Sequence, residues 1–429
     1  MITRYHRGPA SDYDRWAQLT NDPSWSYKSL LPLFKKSEHF QDLTAPTSDE
    51  SDYITPHPSN TYHGRNGEWK VSYATYFHRI SSYFIRAAEA VGLKYNPDFN
   101  GETTLGVGRI QTFVDARDRA RSSAEKAFLN AEVRARANLS VITGATCLSV
   151  TIEDGRCTGA VVMYKGREVR VKASRQVIVS CGAFDSPRFL AASQIPLPGI
   201  GKNLQDHLGV NVSFKIPETF DKSVLTLDYH NSFFSRYYQL FRYLWTKKGP
   251  AASNLGEAVA FHRSQLQNIL AKDPSSGPEG PHIEVIAVPL LTHHHESQQY
   301  AKPRHRHDFD WSRFEFTGRY ITLIPLLLTP LSRGELRFKA DGMEIDPNYL
   351  DDDRDLDILV EGVKFVRKIA REGYPKVGLE GLVEQLPGEQ VRTDEGLRSF
   401  VRDSAETYYH PVGTCKVRFL SPIRISGEG

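Results

Sequence analysis

The sequence predicts an α/β domain followed by an α+β domain that is built on an antiparallel sheet. In the first half, short β-rich segments lead to a buried apolar strand that passes through glycine into a helix, which is typical of α/β folds. In the second half, long connections separate the predicted strands, which favours an antiparallel sheet with helices on one face. With 429 residues, of which 40% are hydrophobic, the chain is long enough for two or three domains.

Helical spacing of apolar residues predicts three helices in the first part of the chain. Ser26–Glu38 has this spacing and contains a proline, so we expect a kink or a late start. Tyr76–Val91 places its apolar residues on one face, and Gly92 is the expected stop. Ser122–Glu125 matches a capping box, which predicts a helix that opens there and runs to Arg136.

The pattern becomes strand-like after these helices. The β-rich runs, of which the last three predict a hairpin meander, are Leu139–Thr143, Thr146–Ile152, Thr158–Tyr164 and Glu168–Lys172. Gln176–Ser180 predicts a fully buried strand, and the turn Cys181-Gly182-Ala183 leads from it into a helix near Ser186. Free N–H groups at such a helix start bind phosphates or cofactors in α/β sheets. A purely structural turn is the alternative.

The second half contains segments of both kinds. Phe233–Trp245 has an aromatic, amphipathic helical pattern. The remaining segments are three strands and two helices, predicted at Ile283–Val288, Tyr320–Leu328, Glu335–Phe338, Asp353–Arg371 and Glu395–Asp403. These elements predict the α+β domain.

Composition excludes several function classes. The 54 Lys and Arg residues nearly balance the 51 Asp and Glu residues, and the net charge of +3 argues against nucleic acid or a membrane as a partner. The most apolar run, Tyr320–Leu331, is too short to span a bilayer, and the N-terminal residues lack the apolar segment of a secretory signal. The cellular compartment therefore stays open, and the complete protein could be secreted. The four cysteines are widely spaced and predict neither a zinc site nor a disulfide scaffold.

His410 is the candidate base. It lies in the segment Thr407–Lys416, where Pro411 fixes its own φ and biases His410 away from helix. An imidazole, with an ordinary pKa of about 6.5, can accept a proton from an alcohol near neutral pH. An ordinary surface or core histidine is the alternative.

Two other segments imitate binding motifs. Gly199–Asn203 satisfies neither of the glycine-rich nucleotide-binding patterns. His293–Glu296, with His305 and His307 nearby, offers metal-ligand side chains. Adjacent residues cannot all face one ion, however, and the run is polar. We therefore expect a solvated loop there and no metal site.

A series of motifs occurs in a fixed order over nearly the whole chain. They are Arg7–Trp16, Pro23–Tyr27, Phe34–Glu38, His63–Gly67, Arg121–Ala124, Asn138–Val141, Gly182–Pro187, Gly201–His207, Ser332–Gly334, Asp346–Leu350 and His410–Lys416. Together they resemble the motifs of the glucose–methanol–choline (GMC) oxidoreductases, which are FAD-dependent enzymes that oxidise alcohols.

The resemblance implies a cofactor, a chemistry and roles for four residues. His410 matches the family's catalytic histidine, which takes the hydroxyl proton while FAD receives hydride from the carbon. Cys147 matches the position whose backbone meets the adenine side of FAD, and Gly182 and Ala183 lie in the turn beside the cofactor. Asn203–His207 would support the site. The partners implied are a small-molecule alcohol and either oxygen or a quinone-type electron acceptor.

The resemblance also implies a division into domains, with departures from the family. We expect a Rossmann-like FAD-binding domain in residues 1–210, a substrate-binding domain in 211–395, and a return segment in 396–429 that carries His410. The family's first βαβ unit, with its G-x-G-x-x-G turn, and its final segment have no match here, so the sequence predicts a chain truncated at both ends. Between Ser193 and Gly199 the chain is also shorter than the family pattern.

Two hypotheses follow. The first is a flavin-dependent alcohol oxidase or dehydrogenase. The second is a catalytically inactive remnant, or an incomplete gene model, with a binding or structural role only.

Overall fold

The structure, a computed structural model, forms two compact units. It describes residues 3–42, 56, 58–193, 198–230, 233–292, 318–339 and 342–416. The first unit comprises residues 1–130, 208–329 and 354–406, and the second comprises 131–207, 330–353 and 407–429. This division crosses the boundaries expected at residues 210 and 395, and the functional assignment of those ranges stays a prediction.

Most strands are short. In chain order they are β1 (Arg4–Tyr5), β2 (Glu38–Phe40), β3 (Trp69–Tyr73), β4 (Gly106–Arg109), β5 (Gln111–Thr112), β6 (Ala145–Glu153), β7 (Arg156–Tyr164), β8 (Arg167–Lys172), β9 (Lys202–Leu204), β10 (Leu208–Gly209), β11 (Val212–Ile216), β12 (Ala258–His262), β13 (Ile283–Val288), β14 (Arg319–Leu327), β15 (Gly334–Lys339), β16 (Gly342–Asp346), β17 (Val383–Leu386) and β18 (Glu406–Thr407).

The helices include four of only three to five residues. In chain order they are α1 (Ala10–Thr20), α2 (Tyr27–Ser37), α3 (Arg79–Ala90), α4 (Ala124–Phe128), α5 (Ala131–Arg134), α6 (Gly182–Ala192), α7 (Phe233–Thr246), α8 (Gln267–Leu270), α9 (Asp353–Lys368), α10 (Tyr374–Lys376) and α11 (Asp394–Ser404). A π-helical turn, Ile369–Gly373, follows α9.

The first unit is built on the expected antiparallel sheet. Its strands follow the order β17-β11-β14-β13-β12-β4, and every neighbouring pair is antiparallel. All residues of β13 and β14 are buried, and α3 and α9 contribute further apolar side chains to the core. A smaller sheet, in the order β1-β5-β3-β2, belongs to the same unit. The antiparallel sheet with helices is confirmed.

The second unit contains two three-stranded sheets. The meander β6-β7-β8 is antiparallel throughout, as the sequence predicted. The other sheet has the order β16-β15-β9. Helix α6 lies beside β6, where the Ser193 hydroxyl accepts a hydrogen bond of 2.8 Å from the Val150 amide.

Four predictions about local structure were wrong. Leu139–Thr143 forms no strand, and Val141 and Ile142 are exposed. Gln176–Ser180 forms no strand either, and Ile178 is 77% exposed. Apolar β-formers adopt a buried strand only when a neighbouring strand and a packed face are present, and the described residues supply neither for these two segments.

The other two errors concern helix starts. The helix expected from Ser122 to Arg136 is divided into α4 and α5, and Ser123 rather than Ser122 caps α4. The Ser122 hydroxyl instead accepts from the Lys70 amide at 3.0 Å. Helix α6 begins at Gly182, four residues before the expected start at Ser186.

Candidate active site

His410 lies on a segment that runs antiparallel to residues 201–207 within the second unit. Gln205 and Val412 exchange two backbone hydrogen bonds, of 2.9 and 2.8 Å. Farther along, the Gly201 amide donates to Thr414 O at 2.9 Å. The backbone that carries His410 is therefore held on one side along most of its length.

The backbone on either side of His410 has an unusual conformation. Tyr409 has a φ of 63°, in the left-handed region that side chains other than glycine rarely adopt. Pro411 fixes φ on the other side. Gly413 has a φ of 93°, and a Cβ there would lie 2.4 Å from Asn203 O. The side chain of His410 is exposed on this constrained turn, an arrangement that active sites often show.

The ring of His207 contacts the ring of His410 edge-on. The ring centroids are 4.9 Å apart, and the planes are inclined at 87°. The Tyr408 amide donates to His207 O at 3.1 Å, which connects the two strands of backbone just before the histidines. The structure thus brings together two imidazoles, only one of which the sequence singled out.

The buried carboxylate of Asp206 forms hydrogen bonds next to His207 and close in sequence to His410. Asp206 accepts hydrogen bonds from the Tyr349 hydroxyl, at 2.9 Å, and from the Thr407 hydroxyl. Its other oxygen accepts from the His207 amide at 2.9 Å. Burial and the neighbouring Asp206 carboxylate raise the pKa of Tyr349 well above its ordinary value, so the phenol remains a hydrogen-bond donor.

Gly182 and Ala183 begin helix α6. The hydroxyl of Thr414 donates to Ala183 O, which links this turn to the segment of His410. Gly182 has a φ of 83°, and the position of its absent Cβ faces open space. Cys147 has an exposed side chain on β6, the strand beside which α6 lies. The four residues named from the sequence all belong to the second unit, and their roles stay predictions.

The start of α6 offers backbone groups that suit an anionic part of a dinucleotide cofactor. The first N–H groups of an α-helix lack intrahelical acceptors and attract negative charge, and the open space at Gly182 lets a ligand approach the backbone closely. These residues therefore fit one part of FAD. A glycine turn of the G-x-G-x-x-G type, which would hold the diphosphate, has no match in the 429 residues.

Two buried charge clusters of the first unit went unnoticed in the sequence. In one, His63 lies between Glu38 and Asp98, with nitrogen-to-oxygen distances of 2.8 and 3.0 Å. Burial would lower the pKa of His63, but its bonds to Asp98 and Glu38 raise it above the ordinary value. The two carboxylates therefore favour the protonated form of His63. The motifs Phe34–Glu38 and His63–Gly67 contain two of its residues, but neither motif indicated that they meet.

The second cluster is centred on Glu257. Its carboxylate accepts from His78 Nδ1 at 2.8 Å and from the Ser81 hydroxyl at 2.9 Å. Burial opposes its ionisation, but the His78 partner holds the pKa of Glu257 below the ordinary value. His78 Nε2 is buried and makes no hydrogen bond to the described residues. The residues are far apart in sequence, so no local motif pointed to them.

The structure also bears on metals. His293–Glu296, His305 and His307 lie outside the described residues. Within the ranges that are described, no group of three or more His, Cys, Asp or Glu side chains could hold a metal ion.

Comparison with known proteins places the chain among the flavoprotein oxidoreductases. The GMC oxidoreductase family model matches residues 2–209, and its C-terminal counterpart matches residues 330–417. The chain is 31% identical over 435 residues to an alcohol dehydrogenase (acceptor) of Pseudomonas putida, covering 96% of this chain and 70% of that protein. It is 29% identical to oxygen-dependent choline dehydrogenase 1 of Chromohalobacter salexigens, covering 96% and 68%.

Solved structures share the fold. A FAD-dependent oxidoreductase from Chaetomium thermophilum aligns with a TM-score of 0.77 at 22% identity, covering 96% of this chain and 74% of that one. Pyridoxine 4-oxidase from Mesorbium loti aligns with a TM-score of 0.71 at 22% identity, covering 96% and 71%. The chain belongs to the GMC oxidoreductase family, whose cofactor is FAD.

Proposed function

We propose that this chain oxidises the CH–OH group of a small-molecule alcohol, with FAD as cofactor and His410 as the base. The observation that carries the proposal is the exposed imidazole of His410 on a backbone fixed by Tyr409, Pro411 and the pairing of Gln205 with Val412. Family membership supports the reaction class. The electron acceptor that reoxidises the cofactor is oxygen or a quinone-type compound.

Each of the proposed site residues has a separate role in this reaction. Bound FAD supplies the two-electron acceptor that alcohol oxidation requires. A ring nitrogen of His410 accepts the hydroxyl proton, while the alcohol carbon becomes a carbonyl carbon. The edge-on ring of His207 limits the rotation of His410. The start of α6, at Gly182 and Ala183, would hold part of the cofactor, and the strand of Cys147 would lie toward its adenine.

Replacement of the base tests the proposal. A positioned base contributes about 10²–10⁴-fold, so we expect His410→Ala to lower turnover of the responsive alcohol at least about 10²-fold. The assay would offer choline and simple primary alcohols with a quinone-type dye or oxygen as acceptor. The flavin absorbance and the melting temperature should be unchanged, because the side chain is exposed.

His39→Ala is the matched control, because His39 is a histidine of the first unit outside this segment. It should keep the turnover of the wild type. Equal turnover of the His410→Ala variant and the wild type would remove His410 from the mechanism.

A second candidate is a catalytically inactive chain with a binding or structural role. It is favoured by Gln176–Ser180, an apolar segment that lies exposed where the sequence predicts a buried strand. Incubation with excess FAD, followed by removal of free ligand, separates the two candidates. A retained flavin spectrum that bleaches with an alcohol supports the enzyme, and a colourless protein supports the second candidate.

A further inference from the structure

Helix α7 exposes most of the apolar side chains that the structure describes in it. Seven large apolar residues of this one helix are exposed, by 49 to 86%: Phe234, Tyr237, Tyr238, Leu240, Phe241, Leu244 and Trp245. Single exposed apolar residues are normal on a protein surface, but a contiguous group of this size marks an interaction site.

The opposite side of the helix faces the protein and is polar. Gln239 and Tyr243 are half-buried, and the Tyr243 hydroxyl donates to Arg119 O at 3.1 Å. Successive residues of a helix are about 100° apart, so the exposed apolar positions form one continuous arc of roughly 160°. The helix is therefore amphipathic, but its polar face packs against the first unit and its apolar face is exposed.

The charged residues in the stretch of sequence that contains this helix are all basic. No Asp or Glu occurs between Asp228 and Glu257. Arg242 and Lys248 are exposed at the C-terminal half of the helix and just beyond it, and Lys247 adds a third cation. The Arg119 guanidinium donates to Lys247 O at 2.6 Å and brings another positive charge to the same end.

The nearby carboxylate of Asp118 already has a cation of its own outside this stretch. Asp118 is half exposed, but Lys126 Nζ lies 2.5 Å from its carboxylate. The complementary surface must therefore accept aromatic rings and be negatively charged.

We propose that α7 docks on the surface of an anionic lipid bilayer. Helices with Trp, Phe, Tyr and Leu on one arc and Lys or Arg beside it lie in the plane of the membrane, with the rings at the headgroup level. Long basic side chains reach from the edge of such a helix to lipid phosphates. Fourteen residues form a helix of about 21 Å, too short to cross the hydrocarbon core. None of the helices in the described residues has the length and apolar character of a membrane span.

A second copy of the chain fits this face less well. If two copies met through α7, the stretch between Asp228 and Glu257 would offer no acidic residue to pair with Arg242 and Lys248 of the other copy. Like charges at an interface are unfavourable, whereas anionic headgroups attract both residues. The inference concerns lipid binding and does not depend on alcohol oxidation.

Vesicle flotation with the full 429-residue chain tests the inference. We expect binding to vesicles of phosphatidylcholine with about one quarter phosphatidylserine, weaker binding at high salt, and little binding to phosphatidylcholine alone. The double variant Phe241→Glu, Trp245→Glu should bind at least about tenfold more weakly. Both side chains are largely exposed, at 62 and 82%, so its melting temperature should match that of the wild type.

Leu19→Glu is the matched control, because Leu19 is 63% exposed on α1 and should leave binding unchanged. Absence of binding to the anionic vesicles, or equal binding by the double variant, would overturn the proposal. So would a dimer in solution that the double variant converts to a monomer, because the helix would then cover a second copy.

Discussion

Gly413 shows how one residue fixes the candidate base. Its φ of 93° strains any side chain, and a Cβ would lie 2.4 Å from Asn203 O and 2.7 Å from Asn203 Nδ2. Real Cβ atoms do not approach backbone oxygen so closely, so the two paired segments must separate to admit an alanine. The pairing that carries His410 therefore depends on the absence of this side chain.

We expect Gly413→Ala to loosen that pairing. In the wild type, the amides of Gln205 and Val412 each donate a hydrogen bond to the carbonyl of the other residue. In the variant, the hydrogens of these two amides should exchange with deuterium measurably faster. Gly166→Ala is the control, because Gly166 has a φ of 74° in the same unit but open space around the absent Cβ. The control shares the left-handed backbone strain of about 1–2 kcal/mol without the clash. Equal exchange in the two variants would show that the close approach to Asn203 has no effect.

At the scale of elements, sequence patterns succeeded where a segment forms its structure locally. The meander β6-β7-β8 and the helices α2, α3, α9 and α11 lie close to their predicted positions, because period, caps and turns are local signals. The strand predicted at Gln176–Ser180 is absent because a buried strand depends on neighbouring strands, which a local pattern does not report. The apolar pattern indicates a segment that would be buried, but in the described part of the structure no strand or packed face covers it.

The exposed segment Gln176–Ser180 should make the chain prone to aggregation. Unpaired apolar β-formers offer backbone groups to other chains, and a charged residue in such a segment blocks this pairing. We expect Ile178→Lys to slow the rise of light scattering at elevated protein concentration. The melting temperature should not change, because Ile178 is 77% exposed.

Val150→Lys is the contrasting variant. Val150 is only 9% exposed, so a buried charge there should lower the melting temperature. If Ile178→Lys lowered it as much, the segment would be packed in solution and the interpretation would be wrong.

For the molecule as a whole, neither the net charge nor a local motif shows which residues the fold brings together. The net charge of +3 argued against a membrane partner, yet the acid-free stretch around α7 concentrates cations beside exposed aromatic rings. The helical pattern of Phe233–Trp245 was predicted correctly, but a pattern does not reveal which way a helix faces. His410 was predicted as the base because it lies in a local motif. His207 lies in one too, but only the fold shows its ring beside that of His410.

The buried cluster around His63 joins residues that are far apart in the sequence of the first unit. We expect it to make the stability of this unit depend on pH. Arg7 and His63 both bond Glu38, at 2.7 and 2.8 Å, and Gln111 bonds Asp98 at 2.8 Å. The folded-state pKa of His63 is raised, so its contribution is complete below the unfolded value of about 6.5. It is lost as the pH rises through the folded-state pKa.

We expect His63→Gln to lower the melting temperature most at pH values below about 6.5, and the deficit relative to the wild type should shrink at alkaline pH. Burial and Lys70 lower the pKa of His39, so its linkage has the opposite sign. A deficit of His39→Gln should therefore grow toward alkaline pH. Melting temperatures of the three proteins across neutral pH give the comparison. A deficit of His63→Gln that stays constant with pH would mean that the imidazole does not titrate in this range.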